Sequence, residues 1–413
     1  MKFTPVPRMR VILDIEGQPR TIGELAWSKE ERRAYFQYAP EFLAAPLPLS
    51  PFHLPLNPQA LAASINPFEG LHGLFNDSLP DGWGRLLLDR RLQKHGIDYQ
   101  ALTALDRLAA VGTTGMGALV YEPAMDTSND MKNVDLDWFA DEITKIQTEV
   151  DLVEIDTLQA AQGGSAGARP KIMIGLSPAR DRLVIDYGQP LPEGYEPWMV
   201  KFQSTLDSAE IGAEEQAYAL MAADAGVDMS PTTLLTTGKG NRLFATRRFD
   251  RSAKGRLHVH TISGLLHADH RLPSLDYQQI LKAVAMMTRD HRDVVRMFRR
   301  MAFNVLARNR DDHARNHALI MDKTGRWTLS PAYDLTYSTG PGGEHSTTIA
   351  NEGRAPQIKH MLEIARGASI SEAHAKSEIE AVRAAIEAWP RHAEQAKLRK
   401  SRRIELERIL KQS

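Results

Sequence analysis

The sequence contains no cysteine. This absence excludes disulfide bonds, thiolate nucleophiles and cysteine-based zinc or iron–sulfur sites, and it is typical of a reducing compartment. Lysine and arginine number 51 against 52 aspartates and glutamates, so the net charge of -1 gives the whole molecule no general attraction for nucleic acid. No apolar run is long enough to span a membrane, and the opening residues, MKFTPVPRMRVILDIEG, lack the apolar segment of a signal peptide. We therefore expect a cytoplasmic protein with no membrane partner.

The composition that is present is that of a folded protein. Hydrophobic residues make up 42% of the positions and charged residues 25%, an ordinary globular balance. The length of 413 residues predicts two or three packed units. A polar, turn-rich stretch between Glu122 and Lys132 marks a boundary. We predict an N-terminal α/β module over 1–125, a region over 126–250 that contains a glycine-rich loop and a strand lysine, and a mainly helical region over 251–413.

Local patterns predict several elements. The proline-rich segment Ala45–Pro58 is expected to be an extended surface segment, and a helix is expected to begin near Gly82. A second helix, with apolar residues at helical spacing, should end near Arg308. Two short apolar runs, HALIM and RWTL, predict a hairpin.

The order of the chemical motifs is that of a phosphoryl-transfer enzyme of the protein-kinase type. A glycine-rich turn, GGSAGARPK, precedes a strand lysine in WMVKF and a helix glutamate in GAEEQAYALMAADAG. Glycines allow backbone N–H groups to approach phosphate oxygens, a lysine supplies positive charge, and a helix carboxylate can hold that lysine. We expect Lys201 and Glu215 to be this pair, although Glu214 and Glu215 could also form an exposed helix face.

The stretch NRDDHARNHALIM carries the second half of the pattern. Asp311 and Asn316 match the spacing of a loop aspartate that accepts a hydroxyl proton and an asparagine that binds a metal ion. Asp334, beyond the predicted hairpin, matches the second metal aspartate. Between the first two residues, His313 and Arg315 could fix the loop or contact phosphate. Asp312 would repel Asp311 unless it points away.

Five motifs in one order resemble the HipA family of serine/threonine kinases, the toxins of bacterial type II toxin–antitoxin systems. They are FNDSLPDGWGR, ARPK, RRFDR, NRDDHARNHAL and SPAYDL. The resemblance extends from about Phe75 to Tyr337. It implies an α+β, two-lobed protein-kinase-like fold with a small N-terminal module and a mainly helical C-terminal lobe.

The resemblance also implies roles for individual residues. Asp311 would be the catalytic base, with His313 beside it in the active-site loop, and Asn316 and Asp334 would bind Mg²⁺. The residues expected to bind ATP are Ala166, Gly167, Ala168, Arg169, Lys171, Lys201, Glu215, Arg247, Arg248, Phe249, Arg315 and Tyr333. Of these, 166–171 would form the loop over the phosphates, and 247–249 the hinge against the adenine.

The cofactors implied are ATP and Mg²⁺. The resemblance further implies a protein substrate, an aminoacyl-tRNA synthetase in the best-understood relatives, and a small helix-turn-helix antitoxin through which DNA would be contacted indirectly. Members of the family commonly carry a serine seven residues before the lysine of the glycine-rich motif, and its autophosphorylation inactivates them. That position is Gly164 here, so the neighbouring Ser165 is the candidate.

Simpler interpretations stand beside each motif. Lys201 could be a solvated lysine at a strand edge, and the arginines and aspartate of RRFDR could be a surface charge cluster. In NDSLPDGWGR we expect a loop, a helix capped by Asp81 and a packing role outside the active site. At the level of function, a metal-dependent phosphohydrolase and a catalytically silent kinase-fold scaffold remain as alternatives.

Overall fold

The computed structural model describes residues 4–125, 134–148, 154–163, 167, 169–188 and 190–412. The strands, in chain order, are β1 Arg8–Ile15, β2 Gln18–Ser28, β3 Arg33–Tyr38, β4 Leu61–Ala62, β5 Leu119–Glu122, β6 Lys171–Leu176, β7 Leu183–Ile185, β8 Glu196–Lys201, β9 Thr232–Thr236, β10 Arg242–Arg247, β11 Arg251–Ser252, β12 Gly255–Arg256, β13 His258–Thr261, β14 Leu275–Asp276, β15 Ala318–Met321, β16 Trp327–Leu329 and β17 Thr347–Thr348. The α-helices are α1 Pro40–Ala44, α2 Gly73–Asn76, α3 Gly82–Lys94, α4 Ala104–Val111, α5 Leu136–Gln147, α6 Ile155–Gln162, α7 Ile211–Asp224, α8 Ile262–Leu266, α9 Tyr277–Thr288, α10 His291–Leu306, α11 Ile358–Gly367, α12 Glu372–Glu387, α13 Trp389–Gln395 and α14 Lys400–Leu410. Short 3₁₀ helices cover Tyr99–Ala101, Ala314–Asn316 and Pro341–Gly343.

The chain forms two compact units. The first comprises Met1–Asp207, Leu235–His260 and Asp322–Gly325, and the second comprises Ser208–Leu234, Thr261–Met321 and Arg326–Ser413. The first unit holds most of the sheet and the second most of the long helices, which confirms the α+β class. The predicted domain limits at 125 and 250 stay predictions.

The first unit begins with an antiparallel sheet in the order β4–β3–β2–β1–β5. Alternate residues of β1 are buried, namely Met9, Val11, Leu13 and Ile15. This period of two places one face of the strand in the core and leaves the other face exposed or half-buried. A register shift between Val11 and Ile12 interrupts the pairing with β2.

A second sheet of the first unit contains β7, β6, β8 and β10 in that order. Every residue of β6 is buried, as expected of a strand covered on both faces. Helices α3, α5 and α6 contribute Leu87, Phe139 and Leu158 to a core that also contains Ile174 and Trp198 of the strands. The start of α3 at Gly82 confirms the predicted helix.

The second unit is mainly helical. In α10, the predicted apolar stripe of Val294, Phe298, Met301 and Val305 is at most 5% exposed, so the helical spacing is confirmed. Strands β15 and β16 form the predicted hairpin, in which Leu319 lies opposite Leu329. In the residues that the structure describes, no helix has the length and apolar character needed to cross a membrane.

The proline-rich segment of the first unit differs from its prediction. It forms neither helix nor strand between Ala45 and Pro58, as expected. However, Leu49 and Leu54 are at most 2% exposed, and the Tyr38 hydroxyl donates to the Leu54 carbonyl at 3.0 Å. Prolines prevent regular backbone pairing, but burying the leucines between them is still favourable. The segment is therefore extended but not confined to the surface.

Candidate active site

Asn309 fixes the start of the loop that follows α10. Its backbone N–H donates to the Asn304 carbonyl at 2.9 Å, and its Nδ2 donates to the Asn304 Oδ1 at 3.0 Å. The same Nδ2 lies 3.4 Å from the carbonyl oxygen of Asp334. Asn309 is only 2% exposed, so these bonds join the helix end, the loop and the Asp334 backbone inside the second unit.

Asp312 is fully buried and is surrounded by hydrogen-bond donors. Its Oδ2 accepts from the Tyr277 hydroxyl at 2.9 Å and lies 2.9 Å from Nδ1 of His345. Its Oδ1 accepts from the backbone N–H groups of Ser346 at 2.9 Å and Thr347 at 3.3 Å. Burial, and then the Asp312 charge, raise the pKa of Tyr277 well above its usual value, so this tyrosine remains a donor. Asp312 therefore holds the loop in place.

Asp311 has the opposite environment. Its side chain is 59% exposed, and His313 Nε2 lies 3.9 Å from its Oδ1. Its backbone carbonyl accepts from Nδ2 of Asn316 at 2.7 Å. The neighbouring Asp312 points into the interior, as required if the two carboxylates are not to repel each other. The loop therefore presents one carboxylate to solvent from a fixed backbone, a geometry suited to a general base.

The segment around Asp334 is tied to the same loop. The Tyr333 hydroxyl donates to the carbonyl of Arg315 at 2.8 Å, and Arg315 is 7% exposed. Asp334 has a backbone φ of +54°, in the left-handed region that aspartate tolerates better than most residues. Together with the bond from Asn309, this contact holds the Asp334 backbone against the loop that carries Asp311.

The donor chemistry of Asn316 and Asp334 is compatible with Mg²⁺. The Asn316 Nδ2 is committed to the Asp311 carbonyl, so its oxygen is the atom that could face a cation. Mg²⁺ prefers oxygen ligands and is usually completed by waters and substrate phosphates rather than by a full protein cage. Within the described residues, no three histidine, aspartate or glutamate side chains group together as a metal site.

The two glutamates of α7, also in the second unit, are both buried. Glu214 is 2% and Glu215 is 4% exposed, so the interpretation as an exposed helix face is wrong. Arg402 makes a two-pronged contact with Glu214, from Nε at 3.0 Å and from Nη2 at 2.8 Å. The assignment of Glu215 as the lysine's partner stays a prediction.

In the first unit, two predicted ATP-binding lysines lie directly opposite each other. Lys171 of β6 pairs with Lys201 of β8, and they are 4% and 8% exposed. Directly opposed residues of an antiparallel pair share one face of the sheet, and like charges there are unfavourable. Lys201 Nζ also lies 5.5 Å from the ring centre of Phe244. Because β8 lies between β6 and β10, the interpretation of Lys201 as a solvated edge lysine is wrong.

The glycine-rich loop is described only in part. Ser165, Ala166 and Ala168 lie outside the described residues. Gly167 has a φ of +110°, which favours glycine, and Arg169 contacts Asp207 through Nε at 3.1 Å and Nη2 at 3.0 Å. Gly167, Arg169 and Lys171 thus belong to the same unit as Lys201.

The predicted hinge residues have three different environments. Arg247 is exposed and pairs with Glu196 at 2.9 Å, whereas Phe249 is half-buried. Arg248 is buried and donates to Asp250 from Nε at 3.0 Å and Nη2 at 2.8 Å. A surface charge cluster is therefore the wrong description of Arg248 and Asp250, and whether 247–249 contact adenine stays a prediction.

The helix-start prediction for Asp81 needs a correction. Asp81 does precede α3, but its side chain makes no capping hydrogen bond to the helix. Its Oδ1 accepts instead from the backbone N–H of Gly167. Sequence reasoning missed this contact because 86 residues separate the two partners. The only available signal was that FNDSLPDGWGR belongs to the same set of motifs as the glycine-rich loop.

Comparisons with known proteins agree with the geometry. The model of the HipA-like C-terminal domain matches residues 163–389, more than half of the chain, and that of the HipA N-terminal domain matches 13–122. A curated protein of Sinorhizobium fredii (strain NBRC 101917 / NGR234), named "Putative kinase Y4dM", is 30% identical in an alignment of 208 residues that covers 46% of this chain. The match covers about half of that relative's length.

The fold has a solved counterpart. HipA in the Shewanella oneidensis MR-1 complex of HipA, HipB and operator DNA superimposes with a TM-score of 0.70 at 16% identity, covering 98% of this chain and 95% of that one. This likeness confirms the predicted fold class, because the chain shares the fold of that HipA. With both of its domain models matched in order, the chain belongs to the HipA family.

Proposed function

We propose that this protein is an ATP- and Mg²⁺-dependent serine/threonine protein kinase of the HipA toxin type. The observation that carries the proposal is the contrast between two consecutive aspartates. Asp312 is fully buried among hydrogen-bond donors, whereas the Asp311 side chain is 59% exposed on the backbone that those bonds hold. A general base must be both fixed in position and accessible to the substrate, and Asp311 meets both requirements.

In the proposed reaction, Asp311 accepts the proton of a serine or threonine hydroxyl. The hydroxyl oxygen forms a bond to the γ-phosphorus of ATP. The bond between that phosphorus and the oxygen that bridges it to the β-phosphate breaks, and ADP leaves. Asn316 and Asp334 would hold Mg²⁺, which when bound neutralises charge on the phosphates. Because this reaction needs little covalent chemistry from the protein, correct positioning supplies most of the catalysis.

The buried lysines of the first unit support the nucleotide part of the proposal. Lys171 and Lys201 place two ammonium groups on one face of adjacent strands. Positive side chains on one face of a sheet can contact a polyanion such as a triphosphate. Glu215, Arg169, Arg315, Tyr333 and the hinge at 247–249 are the further residues that we assign to ATP binding.

The proposed substrate class and partner follow from family membership. We infer a protein substrate, an aminoacyl-tRNA synthetase being the first candidate, and a small helix-turn-helix antitoxin as partner. The solved relative was described together with HipB and operator DNA. DNA association of this chain would accordingly be indirect.

The proposal is tested with purified protein, γ-labelled ATP, Mg²⁺ and a cytosolic extract. The wild type should label a protein band, and Asp311→Asn should lose that label. Glu387→Gln, at an exposed glutamate of α12, is the matched control and should label like the wild type. Label on the protein itself would direct attention to Ser165 as the autophosphorylation site, and Ser165→Ala should then remove it.

Two results would contradict the proposal. Release of free phosphate without labelled protein would indicate a metal-dependent phosphohydrolase. Binding of ATP with neither transfer nor hydrolysis would indicate a silent kinase fold that acts as a scaffold for its antitoxin.

A further inference from the structure

The segment Asp81–Trp83 contacts Gly167, a described residue of the glycine-rich loop, from two sides. The Asp81 carboxylate accepts from the backbone N–H of Gly167, and the backbone N–H of Trp83 donates to the Gly167 carbonyl at 3.3 Å. Both polar groups of one glycine are therefore bonded to the start of α3. All of these residues lie in the first unit.

Gly167 has a conformation that requires such support. Its φ of +110° is accessible to glycine and unfavourable for residues with a side chain. A Cβ atom at this position would lie 2.4 Å from Nζ of Lys171, so the backbone passes directly against that ammonium group. Glycine loses more conformational freedom than other residues when it is ordered. Hydrogen bonds that select one conformer of Gly167 therefore strongly change how often the loop adopts that conformer.

The segment that carries Asp81 is itself firmly held. Four residues earlier, Asp77 Oδ2 lies 2.6 Å from Nδ1 of the buried His260. Ser78 accepts from the buried hydroxyl of Tyr121 at 2.7 Å. The motif thus supplies two fixed points just before Asp81, and the carboxylate can restrict the loop because its own backbone is restricted.

We propose that Asp81 is a positioning residue for the glycine-rich loop. Its carboxylate selects the Gly167 conformer that lies against Lys171. The segment Asp81–Trp83 thereby fixes the position of Gly167 in the loop that would cover the phosphates. This inference rests on the proposed ATP-dependent function and extends it. It gives FNDSLPDGWGR a role in nucleotide binding through Gly167, not only in packing.

The first test measures the contact without any catalysis. Hydrogen–deuterium exchange of the Gly167 amide is followed by fragmentation mass spectrometry in the wild type, Asp81→Ser and Asp81→Asn. Serine suits a helix start but is too short to replace the carboxylate, whereas asparagine keeps an acceptor oxygen at the same distance. We expect exchange in Asp81→Ser to accelerate about tenfold or more, as loss of a bond to a charged group implies. Asp81→Asn should stay near the wild type.

The second test separates positioning from general stability. In Asp81→Ser, the KM for ATP should rise about tenfold with kcat changed less than about twofold, and Asp81→Asn should recover most of the affinity. Asp77→Asn is the control, because it weakens the same segment at its bond to His260 without touching Gly167. It should lower the unfolding temperature and raise the KM for ATP by less than about twofold, because the bond between Tyr121 and Ser78 still holds the segment.

Unchanged Gly167 exchange in Asp81→Ser would overturn the inference, as would an equal rise of KM in Asp77→Asn and Asp81→Ser. If the wild type neither binds nor uses ATP, the proposed function fails, and the positioning role fails with it. The exchange result would in that case still show whether Asp81 holds the Gly167 amide. Faster exchange with an unchanged KM would likewise exclude a positioning role.

Discussion

Asp311 and Asp312 are chemically identical and adjacent, but they have opposite surroundings. The carboxylate of Asp312 accepts hydrogen bonds from Tyr277 and two backbone amides and is 0% exposed. The Asp311 side chain is 59% exposed. A buried carboxylate needs hydrogen-bond donors in place of the water that it loses, and Asp312 has them, so its role is structural. The Asp311 carboxylate, in contrast, faces solvent on the same loop.

This contrast predicts a difference between two matched variants. Asp312→Asn should destabilise the protein by about 3 kcal/mol, because the new amide NH₂ cannot accept from the donors that face it. Asp311→Asn, the same change one residue earlier, should alter the free energy of unfolding by less than about 0.5 kcal/mol. Urea-induced unfolding of both variants measures the two values. Equal destabilisation would show that the two carboxylates do not have separate roles.

Among the elements, the segment that follows β10 is held by a buried cluster of charges. Asp250 accepts from Arg248 and Arg251 and from the backbone N–H of Gly117 at 2.9 Å. Burial opposes its ionisation, but the charges of the two arginines outweigh burial and hold the pKa of Asp250 well below its usual range. Arg251 also donates to the Gly115 carbonyl at 3.0 Å. The motif RRFDR thereby ties the strand to the loop before β5.

Breaking this cluster should weaken the first unit. Asp250→Asn would leave the buried Arg248 and the partly buried Arg251 without this counter-charge, and we expect a loss of about 3–5 kcal/mol in the free energy of unfolding. The matched control is Glu196→Gln, which breaks the exposed pair with Arg247 and should cost less than about 1 kcal/mol. Both are measured by urea-induced unfolding. A cost for Asp250→Asn no larger than that of the control would contradict the structural role.

The elements show which features of the fold were predictable from sequence. Helix α10 and the β15–β16 hairpin were predictable because their signals, apolar spacing and a short turn, are local. The spacing between Asp311 and Asn316 was informative for the same reason, since the two share one loop.

Contacts between distant residues were not predictable in this way. Asp81 has the sequence signature of a helix cap, but its carboxylate bonds to Gly167, far along the chain. Likewise, Leu49 and Leu54 lie among prolines that indicate a surface loop, and yet they are buried. In both cases a tertiary contact outweighs the local preference, and a single sequence carries no record of that contact.

For the whole molecule, two buried histidines couple stability to pH. Burial, with a smaller contribution from His260, lowers the pKa of His258 to about 3. Burial, with a smaller contribution from Arg300, lowers the pKa of His317 to about 3. Both are neutral in the folded protein near pH 7. Between about pH 3 and pH 6.5 the unfolded chain binds protons that the folded chain does not. Their stabilising contribution is therefore complete above pH 6.5 and is lost as the pH falls below that value.

We therefore predict that the free energy of unfolding decreases on acidification. The slope should approach ~1.4 kcal/mol per pH unit for each histidine below the unfolded pKa. His317→Leu should reduce the slope, because leucine does not titrate. The slope is measured by urea-induced unfolding at several pH values between about pH 5 and pH 8. Identical slopes in the wild type and His317→Leu would contradict this assignment.

The most direct test of the proposed kinase compares Asp311→Asn with Lys201→Met in the purified protein, by ATP titration and phosphate transfer. Asp311→Asn should lower the transfer rate by about 10²-fold or more, as expected for a lost general base, while ATP affinity changes less than about threefold. Lys201→Met should instead weaken ATP binding. Undiminished transfer in Asp311→Asn would contradict the assignment of Asp311 as catalytic base, and absence of transfer in the wild type would contradict the proposed function itself.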